Sequence, residues 1–223
     1  MAQNSDREPN NKIRDLSSVE VPVNGGSIYC LTVVGEIEGH NIAPSGCKTT
    51  KYEHVIPELL RIEEDKKIEG LLIMLNTVGG DVEAGLAMAE LISSMEKPTV
   101  SIVLGGGHSI GVPLAVSTKY SFIVPSAAMT VHPIRSSGTA ITAPQTFDQM
   151  NKLQERLISF VARNSKIGKE KLSDMMLDST NIANDMGTIL YGEEAVECGL
   201  IDKVGGISAA LKSIKEMVKN KNV

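Results

Sequence analysis

One stretch constrains this chain more than any other. Gly105-Gly106-Gly107-His108-Ser109-Ile110-Gly111 follows directly on the apolar run Val100-Ser101-Ile102-Val103-Leu104. An apolar run of that length, broken by glycines and continued by a second apolar segment, predicts a buried strand that turns sharply into a helix. Glycine tolerates positive φ and close backbone approach, so such a turn can hold a serine with its oxygen exposed. The N–H of the next residue, Ile110, then lies at a helix N-terminus, free to bind an oxyanion. Ser109 is accordingly the candidate nucleophile.

The same grammar recurs along the chain. Gly70-Leu71-Leu72-Ile73-Met74-Leu75 predicts a buried strand and Asn76-Thr77-Val78-Gly79-Gly80 a turn. Asp81 falls where an N-cap belongs, before a helix over 84–95 that stops at Pro98. The strand over 99–104 leads through the glycine turn to a helix over 109–118, with further strands at 120–124 and 129–132. Upstream, residues 27–34 read as a strand, and the polar stretch after them reads mainly as loop until helical spacing begins at His54. A flexible segment over 136–142 precedes a long amphipathic helix over 146–164, with Phe147, Met150, Leu153, Leu157, Phe160 and Val161 on its apolar side. Helices near 169–177 and 193–200, the second closed by Gly199, and a basic C-terminal helix complete the pattern. Residues 1–24 are polar and without periodicity, which predicts a flexible N-terminal arm before one domain over 25–223. Strands alternating with helices predict an α/β layered fold.

Composition excludes several classes of partner. A net charge of −5 argues against nucleic acid or an acidic membrane surface. Cys30, Cys47 and Cys198 are scattered and odd in number, which suits a reducing cytoplasm rather than a disulfide framework. The first residues, MAQNSDREPNNKIR, hold no apolar core, and charges interrupt every apolar run, so neither a signal peptide nor a membrane span is expected. A cytoplasmic protein is the expectation.

Three motifs mislead. Gly107-His108-Ser109-Ile110-Gly111 matches the G-x-S-x-G elbow of α/β-hydrolases, which needs the order serine, acid, histidine. No acid lies between Ser109 and His132, and no histidine follows His132, so that reading fails. Ile110 stands where a dinucleotide fingerprint needs its third glycine, and Gly46-Cys47-Lys48-Thr49 lacks the spacing of a phosphate loop, so no ATP site is expected. The histidines and cysteines fit no zinc spacing, and neither metal nor cofactor is expected.

A serine nucleophile needs a base within hydrogen-bond reach and a group to orient that base. His108 adjoins Ser109, an arrangement that usually turns the ring away. His132 ends a short strand and precedes Pro133, which holds it extended. It can face the serine across neighbouring strand ends, although position alone also fits an ordinary histidine.

Four motifs in order carry a resemblance: Thr77-Val78-Gly79-Gly80, Gly107-His108-Ser109-Ile110-Gly111, Met129-Thr130-Val131-His132-Pro133 and Glu194-Ala195-Val196-Glu197-Cys198-Gly199-Leu200-Ile201-Asp202. Together they resemble the proteolytic subunit of the Clp protease, the ClpP-like serine peptidases, with the translocation-enhancing branch the nearer. The resemblance covers roughly residues 28 to 210. It implies Ser109 as nucleophile, His132 as general base, and the backbone N–H groups of Gly80 and Ile110 as oxyanion donors. For the acid it implies Asp185, with about two extra residues before the Glu-Ala-Val-Glu helix, and Asp178 is the other candidate. Two departures stand out. Thr77-Val78 replaces the family's Ser-Pro, and Gly107-His108 replaces its Ala-Ala, which brings a second imidazole to the site.

The resemblance also implies a ClpP/crotonase-type fold of repeated ββα units, with the helix over 146–164 as a protruding handle. It implies a homo-oligomeric ring acting on peptides or unfolded protein, fed in some members by a separate unfolding ATPase. The Ser136-Ser137-Gly138-Thr139 segment is suited to pairing with an extended substrate as an added strand. Two alternatives compete with a serine endopeptidase: a non-catalytic ring-forming scaffold or chaperone-like subunit, and a crotonase-like acyl-CoA enzyme.

Overall fold

The computed structural model describes residues 18–23, 25–135, 144–180 and 186–221. Among them run nine strands: β1 (Ser18–Val23), β2 (Gly26–Glu38), β3 (Thr49–Lys51), β4 (Ile68–Gly80), β5 (Thr99–Gly107), β6 (Tyr120–Ile123), β7 (Ala128–Val131), β8 (Thr188–Tyr191) and β9 (Lys203–Val204). The helices are α1 (Tyr52–Glu64), α2 (Val82–Ser94), α3 (Gly111–Val116), α4 (Pro144–Arg163), α5 (Lys169–Leu177), α6 (Gly192–Glu197) and α7 (Ile207–Lys221).

The central sheet has the order β1-β2-β4-β5-β6-β9 and is parallel except for β1, with β3 also parallel on β2. Parallel strands must be covered on both faces, and β4 shows how the sequence does it. Leu71, Ile73 and Leu75 enter the core beneath α1 and α2, while Leu72 packs on the opposite face with Ala210 and Ile214 of α7. Each such leucine or isoleucine stabilises the fold by about 1.5–3 kcal/mol on burial. α2 starts where Asp81 predicts, its Oδ1 accepting the Ala84 N–H at 2.9 Å. The chain thus folds as the mixed α/β architecture expected of a ClpP-type sequence.

At the site end the strands run on past their apolar cores. β4 continues through the expected turn to Gly80, and β5 through all three glycines to Gly107. Pairing on both sides explains this: Thr77 is opposite Gly35 on β2 and Gly107 on β5. β7 then departs from the central sheet, pairing with β5 only at Gly106–Ala128 and antiparallel with β8.

Several boundaries differ from expectation. The stretch read as a loop after Val34 carries four more residues of β2, then β3, and the first turn of α1 at Tyr52. The helix expected over 109–118 is only the six residues of α3. Ser18–Val23, expected within the polar arm, forms edge strand β1, its alternation Val19-Glu20-Val21 matching a half-buried strand. Pro22 is tolerated because β1 has a partner on one side only. Residues 1–17 and 24 of that arm, and the Ser136-Ser137-Gly138-Thr139 segment, lie outside the described residues.

α4 divides in two. Leu157, Phe160 and Val161 are buried in the core, whereas Phe147 near its start is 64% exposed. Arg156 and Arg163 reach Glu83 and Glu90 of α2 at 2.8 and 2.9 Å. Among the described residues no helix is long and apolar enough to cross a membrane.

Candidate active site

The turn between β5 and α3 is built from backbone hydrogen bonds. His108 N–H donates to the Thr77 carbonyl of β4 at 3.2 Å, and Ser109 N–H to the Thr130 carbonyl of β7 at 2.9 Å. Gly111 and Val112 N–H groups return to the His108 and Ser109 carbonyls. The Ile110 N–H between them makes none of these bonds.

Ser109 itself adopts φ +56°, the left-handed region, and is the only non-glycine to do so among the described residues. A serine there costs of order 1–3 kcal/mol, a strain found mainly at functional sites. The sequence reading placed the unusual conformation on the preceding glycines. They instead answer a need for close approach: a Cβ on Gly105 would meet the Asn76 side chain at 2.5 Å, and one on Gly106 the His108 ring at 2.7 Å.

Gly79 and Gly80 close the other side. Both have positive φ, +95° and +148°. A Cβ on Gly79 would lie 2.7 Å from Ser109 Cβ, and one on Gly80 would lie 2.2 Å from the Ile37 carbonyl. Gly79 N–H goes to Thr77 Oγ1 at 3.1 Å and Asp81 N–H to the Ile37 carbonyl at 2.9 Å. Gly80 N–H makes neither bond, and Gly80 lines a cavity with Ser109. Thr77 is built into this turn. It is 1% exposed, its hydroxyl donates to the Gly35 carbonyl at 2.6 Å, and its methyl packs where Gly111 has no side chain.

His132 lines the same cavity of about 140 Å³ as Ser109 and Gly80, with Val112, Leu157, Val161, Leu172 and Met176 forming an apolar wall. Its Nδ1 lies 2.7 Å from the Pro133 carbonyl. A carbonyl only accepts, so Nδ1 carries the proton and the neutral ring offers Nε2 as acceptor. That is the tautomer a general base requires. Gly187 (φ +138°) packs on this residue: a Cβ there would be 2.8 Å from His132 Cβ.

The His108 ring is held by β7. Its Nδ1 lies 2.8 Å from Thr130 Oγ1. Burial, then the proximity of His132, hold it below the ordinary histidine range. Of the two candidate acids, Asp185 lies outside the described residues. Asp178 ends α5, its Oδ1 accepting from the N–H and hydroxyl of Thr180 and its carbonyl from Gly187 N–H at 2.7 Å. Sequence reasoning gave no role to Gly79, Thr130 or Gly187. For Thr130 a signal existed, because it lies two residues before His132 and so shares its strand face. For the glycines, only the neighbours brought in by folding reveal the constraint.

Comparison with known proteins decides the family, for the Clp protease profile matches residues 37–208, most of the chain. The chain belongs to the Clp protease family. It is 54% identical over 209 residues to the translocation-enhancing protein TepA of Halalkalibacterium halodurans, spanning 93% of this chain and 82% of that one. It is also similar to ATP-dependent Clp protease proteolytic subunits. Identity is 27% over 161 residues with that of Lactococcus lactis subsp. cremoris and 24% over 161 with that of Leuconostoc citreum. Each of these alignments covers 67% of this chain and 74% of the relative. Membership fits a cavity lined by Gly80, Ser109 and His132 together.

Proposed function

We propose that this protein is a serine endopeptidase acting on extended, unfolded polypeptide. The observation that carries the reading is Ser109, held at positive φ on the rim of the cavity that also contains His132. In the proposed reaction His132 Nε2 takes the Ser109 proton as Oγ attacks the peptide carbonyl carbon. The N–H groups of Gly80 and Ile110 bind the developing oxyanion. The imidazolium then protonates the departing amine, and a water molecule, deprotonated by the same ring, hydrolyses the acyl-enzyme and frees Ser109.

Asp185 is proposed to orient His132 by taking over its Nδ1–H from the Pro133 carbonyl. Gly187, two residues after Asp185 in the sequence, abuts His132. Asp178, whose carbonyl holds Gly187, is the alternative. The apolar wall of the cavity favours an aliphatic side chain next to the cut bond. A relative's description as a proteolytic subunit supports a homo-oligomeric ring, and its ATP dependence a separate ATPase, since this sequence has no phosphate loop. The name of the translocation-enhancing relative supports a link to polypeptide translocation.

The test is cleavage of a reduced, alkylated polypeptide, with new termini mapped by mass spectrometry. Internal cuts after aliphatic residues, absent with Ser109→Ala, are expected. Intact polypeptide after incubation with the folded, assembled protein would favour the scaffold reading instead.

A further inference from the structure

His108 is a side chain of the nucleophile turn that the proposed reaction does not use, and its contacts give it a task. Its backbone N–H is bound to Thr77 of β4 at 3.2 Å, while its ring is bound to Thr130 of β7 at 2.8 Å. It therefore bridges the two strands that flank the serine. Thr130 holds the turn twice, by its hydroxyl on the His108 ring and by its carbonyl on the Ser109 N–H at 2.9 Å. Two residues further along the same segment comes His132. The ring has little freedom, for it lies against Gly106, where a Cβ would approach Cδ2 and Nε2 at 2.7 and 2.8 Å.

We propose that His108 is a positioning residue: through the Thr130 hydroxyl it ties the strained nucleophile turn to the strand that presents His132. The inference rests on the reading of Ser109 and His132 as nucleophile and base. Without the tie, Ser109 can relax from positive φ toward the ordinary region, and its oxygen leaves the line to the imidazole. At neutral pH the ring acts as an uncharged hydrogen-bonding group, since burial and the nearby His132 disfavour its charged form. Thr130 supplies both a donor and an acceptor, so either neutral tautomer of His108 can be satisfied.

The test measures the rate at which a fluorophosphonate labels Ser109 in the full-length protein. Wild type is compared with His108→Ala, His108→Asn, His108→Gln, Thr130→Val, Thr130→Ser and the double variant His108→Ala with Thr130→Val. Loss of one buried hydrogen-bond partner corresponds to about 10-fold in rate, which is expected for His108→Ala and for Thr130→Val. Asparagine places its amide where Nδ1 lies, so His108→Asn and Thr130→Ser should recover most of the rate. Glutamine reaches the Nε2 position instead and should not. Because the two residues act through one bond, the double variant should be as slow as either single one. Losses that multiply in the double variant, or His108→Ala labelling at the wild-type rate, overturn the proposal. Wild type that never labels while folded overturns the reading of Ser109, and with it this role. A second measurement is independent of reactivity: Thr130→Val should shift the His108 Nδ1 resonance, and an unchanged resonance denies the bond.

Discussion

Gly79→Ala isolates the contact that most directly fixes the nucleophile. The residue sits at φ +95°, where an L side chain costs about 1–2 kcal/mol in backbone sterics alone. The new Cβ would lie 2.7 Å from Ser109 Cβ, 3.0 Å from the His108 carbonyl and 3.3 Å from Ser109 Oγ. Restoring ordinary contact at about 3.5–4.0 Å requires a shift of roughly 1 Å at the serine. A displacement of that size at a reacting atom costs about 100-fold in rate. Gly79→Ala should therefore slow fluorophosphonate labelling of Ser109 about 100-fold and lower Tm by about 2–8 °C, the backbone cost spread over a chain of this length. Gly46→Ala is the control, because a Cβ there meets nothing within 4 Å and its φ is ordinary. A folded Gly79→Ala protein that labels within about threefold of wild type would refute the steric argument.

Ser109→Gly removes the strained side chain and should be more stable than Ser109→Ala by about 1 kcal/mol, seen as a Tm about 2–4 °C higher, while neither variant labels. His108 carries a pH signature. Its folded pKa lies below the ordinary 6.5, so as pH falls through 6.5 the unfolded chain binds a proton the folded one resists, and stability falls from there toward the lower folded value. Denaturant titrations of His108→Asn should show a shallower loss of stability than wild type over that window and the same stability difference at all higher pH. Leu157→Ala, which removes part of the buried cavity wall, should cost about 2–5 kcal/mol by denaturant titration and shift cleavage toward larger side chains. Arg156→Ala and Arg163→Ala break exposed ion pairs between α4 and α2 and should each change stability by under about 1 kcal/mol.

Much of the fold was legible because burial leaves a periodic trace. The run Leu71-Leu72-Ile73 alternates between two cores, Asp81 announces α2, and the spacing of Leu157, Phe160 and Val161 announces the buried half of α4. Some short strands were not legible. β8 and β9 have four and two residues and owe their existence to partners distant in sequence, Met129 with Leu190 and Phe122 with Lys203. The alternation in β1 was present but outweighed by the polar residues before it. At the site, Ser109 and His132 could be named as candidates from their neighbours, whereas the cavity they share could not. Local preference assigned positive φ to the glycines. The structure gives it to Ser109, because bonds from Thr77 and Thr130 hold the turn from both sides. The constraint on Gly187 is likewise a matter of His132 arriving against it.

The central claim is that Ser109 is an activated nucleophile served by His132. The purified, assembled protein should be incubated with a fluorophosphonate and the adduct located by peptide mass mapping. The account predicts one adduct, on Ser109, lost in Ser109→Ala and reduced to the background of an unactivated serine in His132→Ala. Labelling of Ser109 that survives His132→Ala undiminished, or a folded assembly that takes no label, would contradict it.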